Sequence, residues 1–294
     1  MILRLGRREF ADTDLVLMAI VNRTPDSFFD HGATYRSASA VEAVDRAVAE
    51  GADIVDVGGV RAGYGEPVGP AEEIRRVADL VATVRARYPD LVISVDTWRS
   101  EVARVVIEAG ADLVNDTWAG ADPTLAEVAG AAGVGIVCSH TGGLPPRTDP
   151  HRVAYPDVVA DVLATVTRLA RRAVSLGVPR ESVLIDPTHD FGKNTRHSLE
   201  VTRRLPELVA PGGRCWWRCR TRTSSGSRWT CLPGSGWRAP WPPSRSAPGW
   251  APGCSGSTRC GRPGGRWTWW PPSAAPARPP PRAAVWPEAW ASRN

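Results

Sequence analysis

The first 211 residues contain a single cysteine, Cys138, and the whole chain contains a single lysine, Lys193. One thiol cannot build a disulfide framework, so this part of the chain is typical of a protein that folds in a reducing compartment. No apolar run approaches the roughly 20 residues that span a bilayer. The first ten residues are also too charged for the apolar part of a signal peptide. We therefore predict a cytoplasmic protein that does not contact the membrane.

Residues 212–294 lack the residue types from which ordinary cores are built. They contain no Ile, Phe, Tyr or Met, but hold 13 Arg against one acidic residue and 11 of the 13 Trp. Such a segment buries little apolar surface to offset the entropy of ordering, so we expect a disordered tail. Basic and aromatic residues could stack on single-stranded nucleic acid, and the five cysteines of the tail could form a metal or disulfide module. Neither interpretation fits well, because the Cys215-x3-Cys219 spacing matches no zinc pattern, and we expect no nucleic-acid partner.

A translation frameshift explains this tail better. Trp has one codon, TGG, so moving the frame back by one nucleotide converts each Trp into Val, Leu or Met. Residues 214–226 then permit a buried apolar strand followed by a polar loop, and residues 253–260 permit a second strand ending in Arg-x-His. We therefore predict a frameshift near residues 211–214, with a folded domain over 1–211 and an aberrant tail over 212–294.

Six short apolar runs lie within residues 1–211, and each run ends on a polar residue. The runs cover residues 16–21, 52–55, 91–95, 113–114, 134–138 and 183–185. A helix-like segment follows each run, and we predict helices over about 38–50, 71–87, 100–108, 123–132, 156–176 and 195–208. Runs rich in Val, Ile and Leu suit strands that are buried on both faces of a parallel sheet. In an α/β barrel the carboxyl ends of the strands converge on the rim that carries the chemistry. An open doubly wound sheet has the same alternation and also binds ligands at strand carboxyl ends. The polar residues are Asn22, Asp56, Asp96, Asn115, Ser139 with His140, and Asp186.

Four of these strand ends, Asn22, Asp96, Asn115 and Asp186, favour a binding function as a set. An ionised Asp only accepts hydrogen bonds, whereas Asn both donates and accepts. Carboxylates suit adjacent ring N–H and NH2 groups and an amide suits a ring carbonyl or nitrogen, so the set could bind a flat heterocycle. The structural alternative is that one or two of them cap the following helix, as Asp96 could, or hold a loop.

Other polar residues near the strand ends carry weaker predictions. Asp56 precedes Gly58-Gly59 and is expected to bond the backbone of its own loop. Lys193 lies beside a glycine at a helix start and could meet an anion, although the glycine spacing of a P-loop is missing. His140 and His189 are too few for a histidine-based transition-metal site. No residue is assigned as a catalytic base or nucleophile.

Five motifs are spread in order over residues 15–208. They are Asn22–Asp30, Asp53–Gly59, Ser94–Thr97, Val114–Asp116, and Asp186–Pro187 with Phe191–Lys193. Together they resemble the signatures of the dihydropteroate synthase family. This resemblance implies an α/β fold, a TIM (β/α)8 barrel that the aberrant tail would leave complete only through its sixth strand, with a pterin-binding domain over 1–211. It also implies a transferase of folate biosynthesis, which joins 6-hydroxymethyl-7,8-dihydropterin diphosphate to p-aminobenzoate.

The resemblance also implies roles for individual residues. Asp96, Asn115 and Asp186 would hold the pterin, and Asn22 would help to place a Mg²⁺ ion on the diphosphate, since this ion prefers oxygen ligands. The implied ligands are a pterin and a p-aminobenzoate-like molecule, and the implied assembly is a homodimer if the reading frame is intact. The anion and loop candidates are Arg61, Ala62 and Lys193.

The chain departs from the family pattern at three loops. Ala62 and Gly63 stand where the family has Thr and Arg, and Cys138–His140 replaces a Met-His-Met segment. Thr188–Asp190 replaces a glycine-rich segment, and an acid there would repel a diphosphate. These changes resemble the second, divergent dihydropteroate synthase of actinobacteria, a group regarded as lacking the synthase activity. The alternatives are therefore an inactive pterin- or sulfone-binding paralogue and a non-functional frameshifted product.

Overall fold

The computed structural model describes residues 2–11, 13–24, 37–63, 65–148, 153–189, 191–209, 214–218 and 228–231. By its internal contacts the chain divides into two compact units, Met1–Ser235 and Gly236–Asn294. Every described residue belongs to the first unit. The first motif beyond Thr24, the acid at position 190 and most of the tail lie outside the described residues. The frameshift and the disordered tail therefore stay predictions.

A short antiparallel hairpin, β1 (Leu3–Leu5) and β2 (Arg8–Phe10), precedes the main sheet and was not predicted. Its apolar side chains alternate with charged ones, so that Leu3, Leu5 and Phe10 are all buried. They pack in one cluster with Met18 and Ile54, which lie near the beginnings of two sheet strands. The hairpin therefore covers the amino-terminal end of the sheet, and leaves the carboxyl ends of the strands as the open rim.

Eight strands form a closed barrel, and the predicted α/β barrel fold is confirmed for its first six strands. Neighbours among these six are parallel and follow in chain order around the ring. The observed strands lie within one to three residues of the predicted runs, which shows how strongly local apolar patterns define them. They are β3 (Leu17–Asn22), β4 (Ile54–Gly58), β5 (Val92–Asp96), β6 (Leu113–Asp116), β7 (Gly135–Ser139) and β8 (Val183–Asp186).

Two further strands from the tail close the ring, where the sequence predicted that the barrel stops. β9 (Arg214–Arg218) pairs parallel to β8, whereas β10 (Arg228–Cys231) runs antiparallel to both β9 and β3. The last strand therefore runs opposite to its equivalent in a (β/α)8 barrel, in which all eight strands are parallel. Residues 219–227, between these two strands, lie outside the described part of the chain, and the predicted end of the β/α repeat after the sixth strand stays a prediction.

Helices alternate with the parallel strands and agree with the predicted ranges, except for the last. The predicted helix over 195–208 is interrupted at Arg204, because Pro206 has no N–H to continue the helical hydrogen bonds. A 3₁₀ turn, Arg180–Ser182, leads into β8. No helix in the described segments is long and apolar enough to cross a membrane. The helices are α1 (Ser37–Ala49), α2 (Pro70–Arg87), α3 (Ser100–Glu108), α4 (Leu125–Ala132), α5 (Val158–Ser175), α6 (Thr195–Arg203) and α7 (Leu205–Val209).

The strands divide their side chains between two environments. Alternate residues, such as Val55 and Ile93, pack outward against the helices. The residues between them belong to the cluster inside the barrel, which includes Ile54, Val92 and Val137. Because residues two positions apart on a strand share a face, this alternation turns the polar strand ends toward the barrel interior.

Candidate functional site

A layer of polar side chains lies inside the barrel at its carboxyl-terminal rim. Each member is two or four residues beyond an apolar residue of the interior cluster, so its side chain faces the same way. The four residues predicted to bind a ligand all belong to this layer, and the structure therefore brings them to the same end of the barrel interior. The members are Asn22, Asp56, Ser94, Asp96, Asn115, Ser139 and Asp186.

Asp56 accepts hydrogen bonds from two other members of this layer. It is buried, and its carboxylate accepts a 2.6 Å hydrogen bond from Ser94 Oγ and a 3.1 Å hydrogen bond from Asn115 Nδ2. Because an ionised carboxylate only accepts, the amide nitrogen of Asn115 must face it, and the amide oxygen faces away. The expectation that Asp56 serves its own loop missed these two bonds, which come from the next strands of the sheet.

Asp96 contacts a neighbouring loop, which is one of the two structural roles that the sequence left open for it. Its Oδ1 accepts a 2.8 Å hydrogen bond from Thr117 Oγ1, on the loop after β6. The first N–H of α3, that of Ser100, instead donates to Asp122 Oδ2 at 2.8 Å. The Asp96 carboxylate is therefore oriented from the neighbouring strand end and remains part of the rim.

Gly58 separates Asn22 from Asp96 in the sheet register, since it pairs with both. A Cβ atom at Gly58 would lie 3.1 Å from Asn22 Oδ1 and 4.0 Å from Asp96 Oδ2. The absence of a side chain at this position therefore lets the amide of Asn22 and the carboxylate of Asp96 approach the same space.

Asp186 is buried and is oriented by its own loop. Its Oδ1 accepts a 2.7 Å hydrogen bond from the backbone N–H of Thr188, which has a left-handed backbone with φ of 52°. This conformation is unusual for a β-branched residue. It is held because Thr188 Oγ1 also donates to the carbonyl of Asp186 at 3.0 Å and accepts from the N–H of His140 at 3.2 Å.

Lys193 lies in a buried cage rather than on an open surface. Its ammonium is within 3.1 Å of the carbonyls of His140, Thr188 and Phe191, and 2.7 Å from His140 Nδ1. An anion at Lys193 would have to compete with these four acceptors. The predicted anion-binding role stays a prediction, and the geometry indicates that Lys193 holds the loop after β8.

The imidazole of His140 links Lys193 to α5. Its Nδ1 accepts from the ammonium, so Nε2 carries the proton and donates to Asp161 at 2.6 Å. Burial, together with the charge of Lys193, lowers the pKa of His140 to about 4. His189 contacts Thr202 on α6 at 2.9 Å. Both histidines therefore have helix partners.

The other two anion candidates, Arg61 and Ala62, are partly buried in the loop after β4. Arg147, from the loop after β7, donates to the carbonyls of Gly63 at 3.3 Å and Glu66 at 2.8 Å. In the ring, β5 and β6 lie between β4 and β7. The loops after β4 and β7 are therefore in contact although two strands separate them in the ring.

Three aromatic side chains connect the rim loops, and the two Trp among them were missed from the sequence. The ring of Trp118 meets the ring of Trp98 edge to face at 6.5 Å and that of Phe191 at 5.3 Å. Trp118 and Phe191 are buried, although each lies just beyond a polar strand end. The only available signal was that both Trp residues of the first 211 follow such strand ends.

Metal ligands are sparse in the described part of the chain. It contains no group of three or more His, Cys, Asp or Glu side chains arranged to hold an ion. The oxygen atoms of Asn22 and Asp96, on either side of Gly58, could still offer one or two ligands to an ion that also binds a substrate phosphate, as Mg²⁺ commonly does.

Comparison with known proteins assigns the chain to a protein family. The model of a family described as pterin binding enzyme matches residues 18–225. The chain is 57% identical over 211 residues to a Mycobacterium leprae protein named inactive dihydropteroate synthase 2, covering 70% of this chain and 72% of that protein. A Mycobacterium tuberculosis protein of the same name is 55% identical over 209 residues, and the match covers 70% of this chain and 66% of that protein.

A similar solved structure is that of dihydropteroate synthase from Xanthomonas albilineans in complex with 7,8-dihydropteroate. It superposes with a TM-score of 0.62 at 33% sequence identity, over 74% of this chain and 77% of that one.

Proposed function

Since the chain belongs to the family of pterin binding enzymes, we propose that it is a dihydropteroate synthase-type transferase of folate biosynthesis. It would join 6-hydroxymethyl-7,8-dihydropterin diphosphate to p-aminobenzoate. The observation that carries this proposal is the interior polar layer, in which Asp56 orients Asn115 while Asp96 and Asp186 are oriented by neighbouring loops. The 7,8-dihydropteroate bound to the Xanthomonas albilineans relative is the compound that this reaction would form.

In this proposal the polar layer recognises the pterin ring. A carboxylate pairs with the ring N–H and the adjacent amino group, which suits Asp96 and Asp186, and the outward amide oxygen of Asn115 accepts a further N–H. The reaction breaks the bond between the pterin methylene and the diphosphate oxygen. A bond from the amine nitrogen of p-aminobenzoate to the methylene replaces it, and the amine loses a proton. The protein contributes orientation and exclusion of water more than covalent chemistry.

The residues present fit a Mg²⁺ ion bound together with the diphosphate. Asn22 and Asp96 supply oxygen atoms beside Gly58, and Mg²⁺ commonly takes one or two protein oxygens with substrate phosphates and water. The ion would supply positive charge to the leaving diphosphate. We also propose a homodimer in the cytoplasm, in keeping with the resemblance and with the buried, reduced thiol of Cys138.

A second candidate is a paralogue that binds a pterin or a sulfone without catalysing the transfer. Identity to proteins named inactive is 57% and 55%, against 33% to the synthase of Xanthomonas albilineans. Ala62 and Gly63 bring no donor side chain to the loop after β4, and the ammonium of Lys193 already contacts four acceptors. These features weaken diphosphate binding while leaving the pterin residues in place.

Two measurements on the full chain separate the candidates. Calorimetry with 6-hydroxymethyl-7,8-dihydropterin diphosphate and Mg²⁺ tests binding, and release of diphosphate on addition of p-aminobenzoate tests transfer. Binding with turnover supports the synthase, and binding without turnover supports the paralogue. If the chain binds neither this pterin nor an aryl sulfone in the same calorimetric experiment, both candidates fail. Asp186→Ala should abolish any specific signal, whereas Glu127→Ala, an exposed carboxylate on α4, serves as the matched control.

A further inference from the structure

Ser139 is the last residue of β7 and lies inside the barrel, only 1% exposed. Val137, two residues earlier on the strand, packs in the interior cluster, whereas Cys138 packs outward against α5. The alternation of side chains along a strand therefore turns the Ser139 hydroxyl toward the polar layer.

The hydroxyl of Ser139 has no hydrogen-bond partner among the residues that the structure describes. The other two buried serines of that part of the chain are satisfied: Ser94 donates to Asp56 at 2.6 Å, and Ser182 donates to the carbonyl of Arg4 at 2.6 Å. A buried polar group without a partner costs stability, and such groups are rare. Ser139 is therefore an exception that stands at the ligand end of the barrel.

The neighbour of Ser139 in the sheet register is Asp186, and the side chains of both face the interior. Thr188 fixes the two positions relative to each other, since it donates to the Asp186 carboxylate and accepts from the N–H of His140, the residue after Ser139. The hydroxyl is therefore held beside the carboxylate that the proposed function assigns to the amino–imino edge of the heterocycle.

We propose that the Ser139 hydroxyl is a specificity-determining contact of this site, and that it hydrogen-bonds a polar group next to the ring edge that Asp186 holds. This inference rests on the proposed pterin binding. A hydroxyl both donates and accepts, so it can serve a ring carbonyl or the second hydrogen of an exocyclic amino group. The hydroxyl would therefore select a heterocycle that carries a further hydrogen-bonding group next to its amino–imino pair.

Ser139→Ala tests this contact through two readouts, affinity and thermal midpoint, of which only the affinity should fall. Affinity for 6-hydroxymethyl-7,8-dihydropterin diphosphate, measured by calorimetry, should fall about five- to tenfold, the loss expected for one hydrogen bond. The thermal midpoint without ligand should stay unchanged or rise, because the variant removes an unsatisfied polar group. Ser139→Cys keeps the side-chain volume with a weaker hydrogen-bonding group, and should lose affinity in the same direction.

Ser182→Ala is the matched control, because Ser182 has a backbone partner and lies at the opposite end of the barrel. It should lower the thermal midpoint and leave affinity unchanged. A merely structural role for Ser139 would give that same pattern and would overturn the inference, as would unchanged affinity in both Ser139 variants. If the unaltered chain binds no pterin, the proposed function fails first and this inference fails with it.

Discussion

The side-chain amide nitrogen of Asn115 donates a 3.1 Å hydrogen bond to Oδ2 of Asp56, on a strand that is not its neighbour in the barrel. Ser94, on the strand between them, donates to the other oxygen of the same carboxylate. One buried carboxylate therefore ties three strands together across the barrel interior. This arrangement makes Asp56 a positioning residue for Asn115.

Asp56→Ala should destabilise the fold and weaken pterin binding together. The variant leaves the Asn115 amide and the Ser94 hydroxyl buried without their acceptor, which costs about 2 to 4 kcal/mol of unfolding free energy. Denaturant unfolding measures the loss. Glu127→Ala, which removes an exposed carboxylate paired with Arg172, should change stability by less than about 0.5 kcal/mol. Equal effects of the two variants would contradict the supporting role of Asp56.

Gly58→Ala should impair the site and leave the fold intact. The new methyl group would lie 3.1 Å from Asn22 Oδ1, so the amide must move away from the space it shares with Asp96. We expect weaker binding of the diphosphate substrate in the presence of Mg²⁺, measured by calorimetry, with a thermal midpoint close to that of the unaltered chain. Gly69→Ala is the control, because no atom lies within 4 Å of its added methyl. Unchanged binding in Gly58→Ala would remove Asn22 from the proposed ligand set.

The stability of the protein should depend on the protonation of His140. Burial and the charge of Lys193 lower its pKa to about 4 in the folded state, whereas an unfolded histidine titrates near 6.5. Between these values the unfolded chain binds a proton that the folded chain does not. Unfolding free energy is therefore highest above pH 6.5 and is lost as the pH falls toward 4, by at most about 1.4 kcal/mol per pH unit.

His140→Gln isolates this effect from other titrating groups. The groups around the imidazole are Lys193, Asp161 and Tyr155, and all three remain in the variant. Denaturant unfolding between pH 4 and 7 should show a steeper loss of stability for the unaltered chain than for the variant. Parallel curves would mean that folding does not shift the pKa of His140.

The tail prediction can be checked at the level of the gene. Independent sequencing of the coding DNA around codons 205–220 should reveal a one-nucleotide shift that restores the apolar strands expected from the shifted frame. An uninterrupted and well-supported reading frame there would contradict the frameshift. In that case the strands Arg214–Arg218 and Arg228–Cys231 would be the native closure of the barrel.

Strand and helix positions could be predicted from the sequence because their signals are local. Apolar runs of Val, Ile and Leu locate β3 to β8, and the predicted range of α3, Ser100–Glu108, agrees with the observed one. The amino-terminal hairpin was missed, because three-residue strands carry too few alternating positions to be recognised. The interruption of the last helix at Arg204 was missed because the apolar pattern continues across Pro206, although a proline indicates such an interruption.

The sequence by itself determined the parallel strands, their helices and the polar residues at the strand ends, because each depends on periodicity and on neighbours along the chain. Only the tertiary structure decided which polar groups meet. It joined Asn115 to Asp56, Asp96 to Thr117 and Lys193 to His140, and it left Ser139 without a partner among the described residues. Such pairings depend on strand order and register in the closed sheet, which bring together residues that lie from 21 to 59 positions apart.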